Sequence, residues 1–216
     1  DLNIIDHHTY VFAGDGCLME GISHEACSLA GTLKLNKLIL FYDDNGISID
    51  GEIDEWFTDN TPERFKAYGW NVIPNVDGHD TKSINAAIGI AKTNNNGPTL
   101  ICCKTVIGKG SPNKAGTSAC HGAALGEKEI VETRKELNWQ HKPFDIPESV
   151  YNAWSSKNKG QALEEDWNKK LSAYGVKYKN DSELLELQMH NKLPQDWGRN
   201  KNACIQKMLD NKEGFK

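Results

Sequence analysis

Through about residue 145, short apolar runs alternate with longer amphipathic ones, the pattern of strands and helices taken in turn. Tyr10-Val11-Phe12-Ala13 and Leu38-Ile39-Leu40-Phe41-Tyr42 read as strands, and so do Asn71 to Val76 and Thr99 to Val106. Between the first two, Cys17 to Ala30 lacks proline and reads as one helix, stopped at Gly31 by a left-handed C-terminal residue. Gly46 to Gly51 alternates and ends in Asp-Gly, which predicts an extended loop or short hairpin. Asn60-Thr61-Pro62-Glu63 joins a capping residue, a first-turn proline and an early acid, so a helix runs from there to about Tyr68. Asp77-Gly78 closes the Asn71 strand. Asp80 or Thr81 then starts a helix with Ile84, Ala87, Ile88 and Ala91 on one stripe, broken by Asn94 to Pro98. Gly108 to Gly116 is a glycine-rich loop of the kind that serves as a lid or binding loop. Glu127 to Leu137 reads as a helix.

This alternation predicts an α/β fold, a three-layer α/β/α arrangement around a mostly parallel sheet. From Pro143 onward the character changes: helical stretches near 148–156, 160–174, 181–190 and 200–210 are rich in Lys, Glu and Asn, with no strand between them. The expected organisation is an α/β domain over 1–145 and a helical linker or peripheral layer over 146–216.

Composition narrows the functional classes. The 216 residues are 38% hydrophobic and 25% charged, as in an ordinary globular protein, and sum to a formal charge of -5. That balance gives no support to a nucleic-acid or polybasic membrane role. No apolar run approaches the roughly 18 to 20 residues of a membrane span, and the N-terminus lacks the pattern of a signal peptide. The six cysteines show no CxxC pair and no zinc-like spacing. Cys102 and Cys103, neighbours on a strand, point to opposite faces. Free thiols in a reducing cytoplasm are expected.

Candidate chemistry collects where two strands end. The first strand runs into Gly14-Asp15-Gly16 and the second into Asn45-Gly46-Ile47. Ligands of α/β sheets gather outside the carboxyl ends of the strands. A carboxylate and a carboxamide at that edge, with a backbone carbonyl, make half of an octahedral oxygen site for a hard cation, open to phosphate oxygens. Each motif alone could equally be a strand-end turn, with Asp15 capping the next helix and Asn45 supporting a tight turn. Neither a GxxxxGK[ST] loop nor a helix-opening GxGxxG is present, which excludes P-loop and dinucleotide-binding readings.

Gly14-Asp15-Gly16 with the later Asn45 resembles the thiamin diphosphate signature, and the surrounding residues resemble transketolases in particular. The likeness runs through Gly14 to Gly51, Trp56 to Thr61, Arg64-Phe65, Ala67 to Trp70 and Lys104 to Gly126. It is dense from His8 to about Pro147 and looser through Trp197. The chain matches only part of the family's first, diphosphate-binding domain and the linker after it. The pyrimidine-binding domain, with its activating glutamate, has no counterpart. One small departure is Ala124, where the family commonly has proline.

The resemblance implies transfer of a two-carbon ketol unit from a ketose phosphate to an aldose phosphate, in the pentose phosphate pathway. It also implies a homodimer with the active site at its interface, in the cytoplasm. Thiamin diphosphate and Mg²⁺ (or Ca²⁺ or another divalent cation) are the implied cofactors. Asp15, Asn45 and the Ile47 carbonyl would hold the metal; Gly14, Gly16, Ile107 and His121 would join them in binding the cofactor. His121 would also contact the sugar and assist its proton movements. Glu20 and Glu25 would belong to a proton-carrying network toward the partner's cofactor, although a solvated acidic face explains them as well. Ile49 is a second apolar wall candidate, and one of Lys104, Lys109 and Lys114 could reach a phosphate. For His79, a turn and helix cap is a better account than a metal ligand. A different thiamin diphosphate enzyme, such as a 1-deoxyxylulose-5-phosphate synthase or a dehydrogenase subunit, and a non-catalytic relative that binds a partner are the alternatives.

Overall fold

The computed structural model describes residues 2–54 and 56–211. Backbone contacts divide the chain into two compact units, His7–Asp145 and a second one made of Asp1–Asp6 with Ile146–Lys216.

The first unit is built on a sheet of four strands, β1 (Thr9–Gly14), β2 (Leu38–Asp44), β5 (Asn71–Asp77) and β6 (Thr99–Lys104), in the order β1-β2-β6-β5. Every neighbouring pair is parallel. A two-stranded hairpin, β3 (Ile47–Ser48) with β4 (Gly51–Glu52), follows β2, as the alternation there predicted. The helices of this unit are α1 (Asp15–Met19), α2 (Gly21–Thr32), α3 (Thr61–Ala67), α4 (Thr81–Thr93) and α5 (Glu127–Glu136). Connections from β1 through β2 to β5 progress one way across the sheet. The step from β5 to β6 turns back. Since parallel crossovers are right-handed, that reversal sends α4 to the opposite face from α2 and α3.

Strand alternation divides the core accordingly. Leu40, Tyr42, Leu100 and Cys102 pack with Leu18, Cys27, Ala30, Phe65 and Trp70 on one face. Ile39, Phe41, Ile101 and Cys103 pack with Ala87 and Ala91 of α4 on the other. The three expected layers are therefore present. β1 lies at the sheet edge, and its Phe12, 78% exposed, stacks on Phe41 with ring centres 5.1 Å apart.

Local signals explain most boundaries. The Asn60 side chain accepts the Glu63 N–H at 3.2 Å and starts α3. Asp80 caps α4 by accepting from Lys82 and Ser83. Two expectations need correction. Cys17 to Ala30 is not one helix: Glu20 is extended (ψ 137°) and separates α1 from α2. The Ser23 hydroxyl donates to the Cys17 carbonyl at 2.5 Å across that break. Nor is Gly31 a left-handed stop. The helix continues to Thr32, and the left-handed residue beyond it is Lys34 (φ 52°), whose N–H reaches the Gly31 carbonyl at 3.0 Å. Gly31 is needed for close approach instead, because a Cβ there would lie 1.8 Å from the Tyr68 carbonyl oxygen.

The second unit is helical: α6 (Glu148–Trp154), α7 (Lys157–Lys177), α8 (Lys179–Met189) and α9 (Trp197–Asp210). Within it Trp167 donates its indole N–H to the Ile4 carbonyl at 2.9 Å. Among the described residues no helix is long and apolar enough to cross a membrane.

Candidate functional site

Parallel strands send all four carboxyl ends to one edge, where Gly14 is level with Asp43, Asp44 with Lys104, and Lys104 with Asp77. Asp15 sits just past β1 and is buried, 2% exposed. Its carboxylate does not cap α1. Oδ1 accepts from the Tyr42 hydroxyl at 2.5 Å and Oδ2 from the Gly46 N–H at 3.0 Å. Two strand ends are thereby joined through one buried carboxylate. Burial, and then the hydrogen bond to Asp15, push the Tyr42 phenol far above its ordinary range, so it stays a donor. Asn45 Oδ1 accepts from the Ile47 N–H at 2.9 Å, the tight turn anticipated for it. Ile47 is buried.

Asp15, Asn45, Gly46 and Ile47 are thus drawn into one cluster. Each Asp15 oxygen, and the Asn45 carbonyl oxygen, accepts one hydrogen bond here and has a second lone pair to offer. Among the described residues no three His, Cys, Asp or Glu side chains gather as a metal site. A cation here would draw on carboxylate, carboxamide and carbonyl oxygens, with the rest of its shell from a ligand's phosphates or water. That donor chemistry suits Mg²⁺, which keeps few protein ligands. A Cβ added at Gly14 or Gly16 would meet nothing within 4 Å, so the space before the motif is open.

Gly14 and Ile107 line one cavity of about 880 Å³, together with Phe12, Phe41, Asp43 and His79. Because of the break at Glu20, the helix that starts at this motif, α1, is only five residues long and offers a short dipole. Glu20 and Glu25 are solvent-exposed and make no ion pair or side-chain hydrogen bond among the described residues. His121 is exposed at the end of a 3₁₀ turn, Ser118–Cys120, and its N–H donates to the Ser118 carbonyl at 2.9 Å. It does not line the cavity that holds Ile107. Ile49 is 72% exposed. Lys104 pairs with Asp44 at 2.6 Å, and Lys114 Nζ lies 3.4 Å from the Ala124 carbonyl.

Two residues, Tyr42 and Glu129, escaped the sequence reading, and a third, His79, was read there only as part of a turn and helix cap. Tyr42, which aims Asp15, could have been suspected, because a tyrosine on a buried strand face must place its hydroxyl on a partner. His79 accepts the Val106 N–H at Nε2 (2.8 Å), beside the turn in which Asp77 accepts the His79 N–H. It thereby pins the chain leaving β6. Glu129, on α5, accepts from Ser111 and Asn113 of the glycine-rich loop, and nothing local in the sequence announces it.

A parallel sheet with hard oxygen donors at the ends of adjacent strands and an open approach before a glycine turn defines an α/β domain suited to a phosphate-bearing ligand and its cation. Residues 1–194 match the family described as "Transketolase, thiamine diphosphate binding domain". Over 195 residues the chain is 60% identical to Transketolase 2 of Vibrio parahaemolyticus, covering 90% of this chain and 29% of that protein. It is 55% identical over 208 residues to Transketolase 1 of Pasteurella multocida, covering 96% of this chain and 31% of that protein. A transketolase from Pichia stipitis, solved in complex with sedoheptulose-7-phosphate, superposes with a TM-score of 0.84 at 40% identity, over 91% of this chain and 29% of that one. The chain belongs to the transketolase family, within its thiamin diphosphate-binding domain, and spans 29% to 31% of the length of these curated relatives.

Proposed function

We propose that this chain is the diphosphate-binding part of a transketolase, which reversibly moves a two-carbon ketol unit from a ketose phosphate to an aldose phosphate in the cytoplasmic pentose phosphate pathway. The observation that carries the reading is the buried Asp15 carboxylate facing the Gly46 amide at the carboxyl edge of the sheet. It lies within a sequence 60% identical to a transketolase.

In this reading Asp15 and Asn45 give side-chain oxygens, and Ile47 its backbone carbonyl, to Mg²⁺ or a similar divalent cation. Gly14 and Gly16 leave room for the diphosphate, and Ile107 presents an apolar wall to the ring. Bound there, thiamin diphosphate supplies the carbon nucleophile that makes and breaks the bond beside a carbonyl. His121 binds the sugar and holds or accepts a proton at its donor hydroxyls, a task suited to an imidazole near neutral pH. Glu20 and Glu25 carry protons toward a partner subunit. Residues 1–145 act as the C-terminal part of the diphosphate-binding domain, and 146–216 as a helical linker toward a pyrimidine-binding domain. Two copies form the active unit, with the site at their interface.

Calorimetric titration with thiamin diphosphate, with and without Mg²⁺, tests this on the full-length protein. Metal-dependent binding that disappears in Asp15→Ala is the expected result. Binding that is equal without metal, or equal in the variant, would sink the reading.

A further inference from the structure

The glycine-rich loop after β6 is fastened to the helix behind it. Gly116 closes the loop by donating its N–H to the Ile107 carbonyl at 2.8 Å. Glu129 on α5 is buried, and its carboxylate meets three donors from the turn between. Oε1 accepts from the Ser111 hydroxyl and from the Asn113 N–H (2.9 Å), and Oε2 from Asn113 Nδ2 (2.9 Å). The Ser111 hydroxyl in turn accepts the Lys114 N–H at 3.2 Å. The Lys114 carbonyl receives the Thr117 hydroxyl at 2.8 Å and the Cys120 thiol at 3.3 Å. His121 follows directly. A chain of hydrogen bonds thus leads from α5 to the residue before the imidazole.

Packing closes the same path. A Cβ at Gly110 would lie 2.6 Å from Leu137 Cδ2, and one at Gly108 would lie 2.7 Å from Cys120 Sγ. The loop therefore rests on α5 and on the 3₁₀ turn at once.

We propose that Glu129 is a positioning residue for His121: by clamping Ser111 and Asn113 it fixes the turn on which Ser118–His121 is seated, and so sets where the imidazole stands toward the sugar. The inference rests on the transketolase reading above. Glu129 acts through the loop alone, and its three donors call for a group that only accepts, which an ionised carboxylate is. The hydrogen bonds from Ser111 and then Asn113 hold that carboxyl down at about 2, so the clamp is permanent at working pH.

The test compares Glu129→Ala, Glu129→Gln and Ser111→Ala in the full-length enzyme by amide hydrogen exchange and steady-state kinetics. Exchange at residues 111–121 should rise in Glu129→Ala while the amides of β2 and β6 keep their protection. The same variant should lose kcat by roughly 10- to 100-fold, the size of effect that a displacement of about 1 Å produces, with thiamin diphosphate affinity held. Glu129→Gln keeps an oxygen for the Ser111 hydroxyl and the Asn113 N–H but turns a donor toward Asn113 Nδ2, so it should recover part of the rate and fall between Glu129→Ala and wild type. Ser111→Ala removes one hydroxyl without touching the helix, so it probes the same clamp in a folded protein and should show a smaller loss. Unchanged loop exchange, a loosened loop with unchanged kcat, or exchange rising over the whole sheet would each overturn the inference. A wild-type enzyme that fails to bind thiamin diphosphate overturns the functional reading itself.

Discussion

Replacing Tyr42 by phenylalanine removes one oxygen from the wall behind Asp15 and leaves the ring. Tyr42 is 4% exposed and Asp15 is 2% exposed, so water has little access to the position the hydroxyl leaves. The Asp15 carboxylate would keep the Gly46 N–H alone. A hydrogen bond to a charged group is worth about 1.5–3 kcal/mol, and the burial of both partners puts the expected loss of unfolding free energy toward the upper end. Urea unfolding without metal measures that term. Where a group behind a metal ligand orients it, removal typically weakens metal affinity by about 10- to 100-fold, which converts to roughly 1.4–2.8 kcal/mol. Mg²⁺ titration in the presence of thiamin diphosphate measures this second term. Unchanged stability together with unchanged affinity would refute the claim that Tyr42 holds Asp15. A rise in Mg²⁺ affinity would also refute it, since the phenol would then be competing with the ion for the same oxygen.

Gly31→Ala sets two effects against each other. Alanine in a helix interior gains about 1 kcal/mol over glycine, but its Cβ would lie 1.8 Å from a backbone oxygen, and overpacking costs about 1–3 kcal/mol or more. The clash should win, and an unfolding midpoint equal to or above wild type would show otherwise. His79→Phe removes the acceptor of the Val106 N–H; with Val106 47% exposed, water can replace it. Global stability should fall by less than about 1 kcal/mol while the Val106 amide exchanges faster, and an unchanged exchange rate there would count against the pin. Glu129 has a folded pKa below its ordinary value. Its contribution is complete above the ordinary glutamate value of 4.5 and is lost as pH falls through about 2. The carboxyl ¹³C shift of Glu129 should titrate near that lower value, and a midpoint near 4.5 would deny the clamp.

Strands, most helices and the hairpin were legible because apolar period and punctuation by Gly, Pro, Asn and Asp act within a few residues. Asn60 and Asp80 are caps that need no knowledge of the rest of the chain. The break at Glu20 had one local signal, Gly21 directly after it, but a single glycine in a run without proline does not by itself end a helix. Gly31 misled in another way. A glycine near a helix end resembles a stop, yet its partner is a carbonyl oxygen brought up by a later turn at Tyr68. The strand-end cluster was half readable: Asp15 and Asn45 stand in motifs, whereas Tyr42 is 27 positions from the carboxylate it touches. Glu129 and Ser111 are 18 apart, joined only by the loop's own fold. His121, Glu20 and Glu25 were placed by resemblance alone, and no local contact in the chain would have singled them out.

Cys102 and Cys103 face the two opposite core layers of the sheet. Burial pushes the Cys102 thiol up to about 12 and raises that of Cys103 as well, so neither is a nucleophile while the sheet is closed. Cys17 and Cys204 are exposed and will react first with any alkylating agent. The adjacent pair then serves as a two-channel clock. Labelling at Cys102 times the opening of the layer under α2 and α3, labelling at Cys103 times access from the α4 side, where it also lines the cavity at the carboxyl edge, and a single peptide carries both readings. A shared rate would mean that the sandwich comes apart in one step, and a difference between them would name the side that yields first.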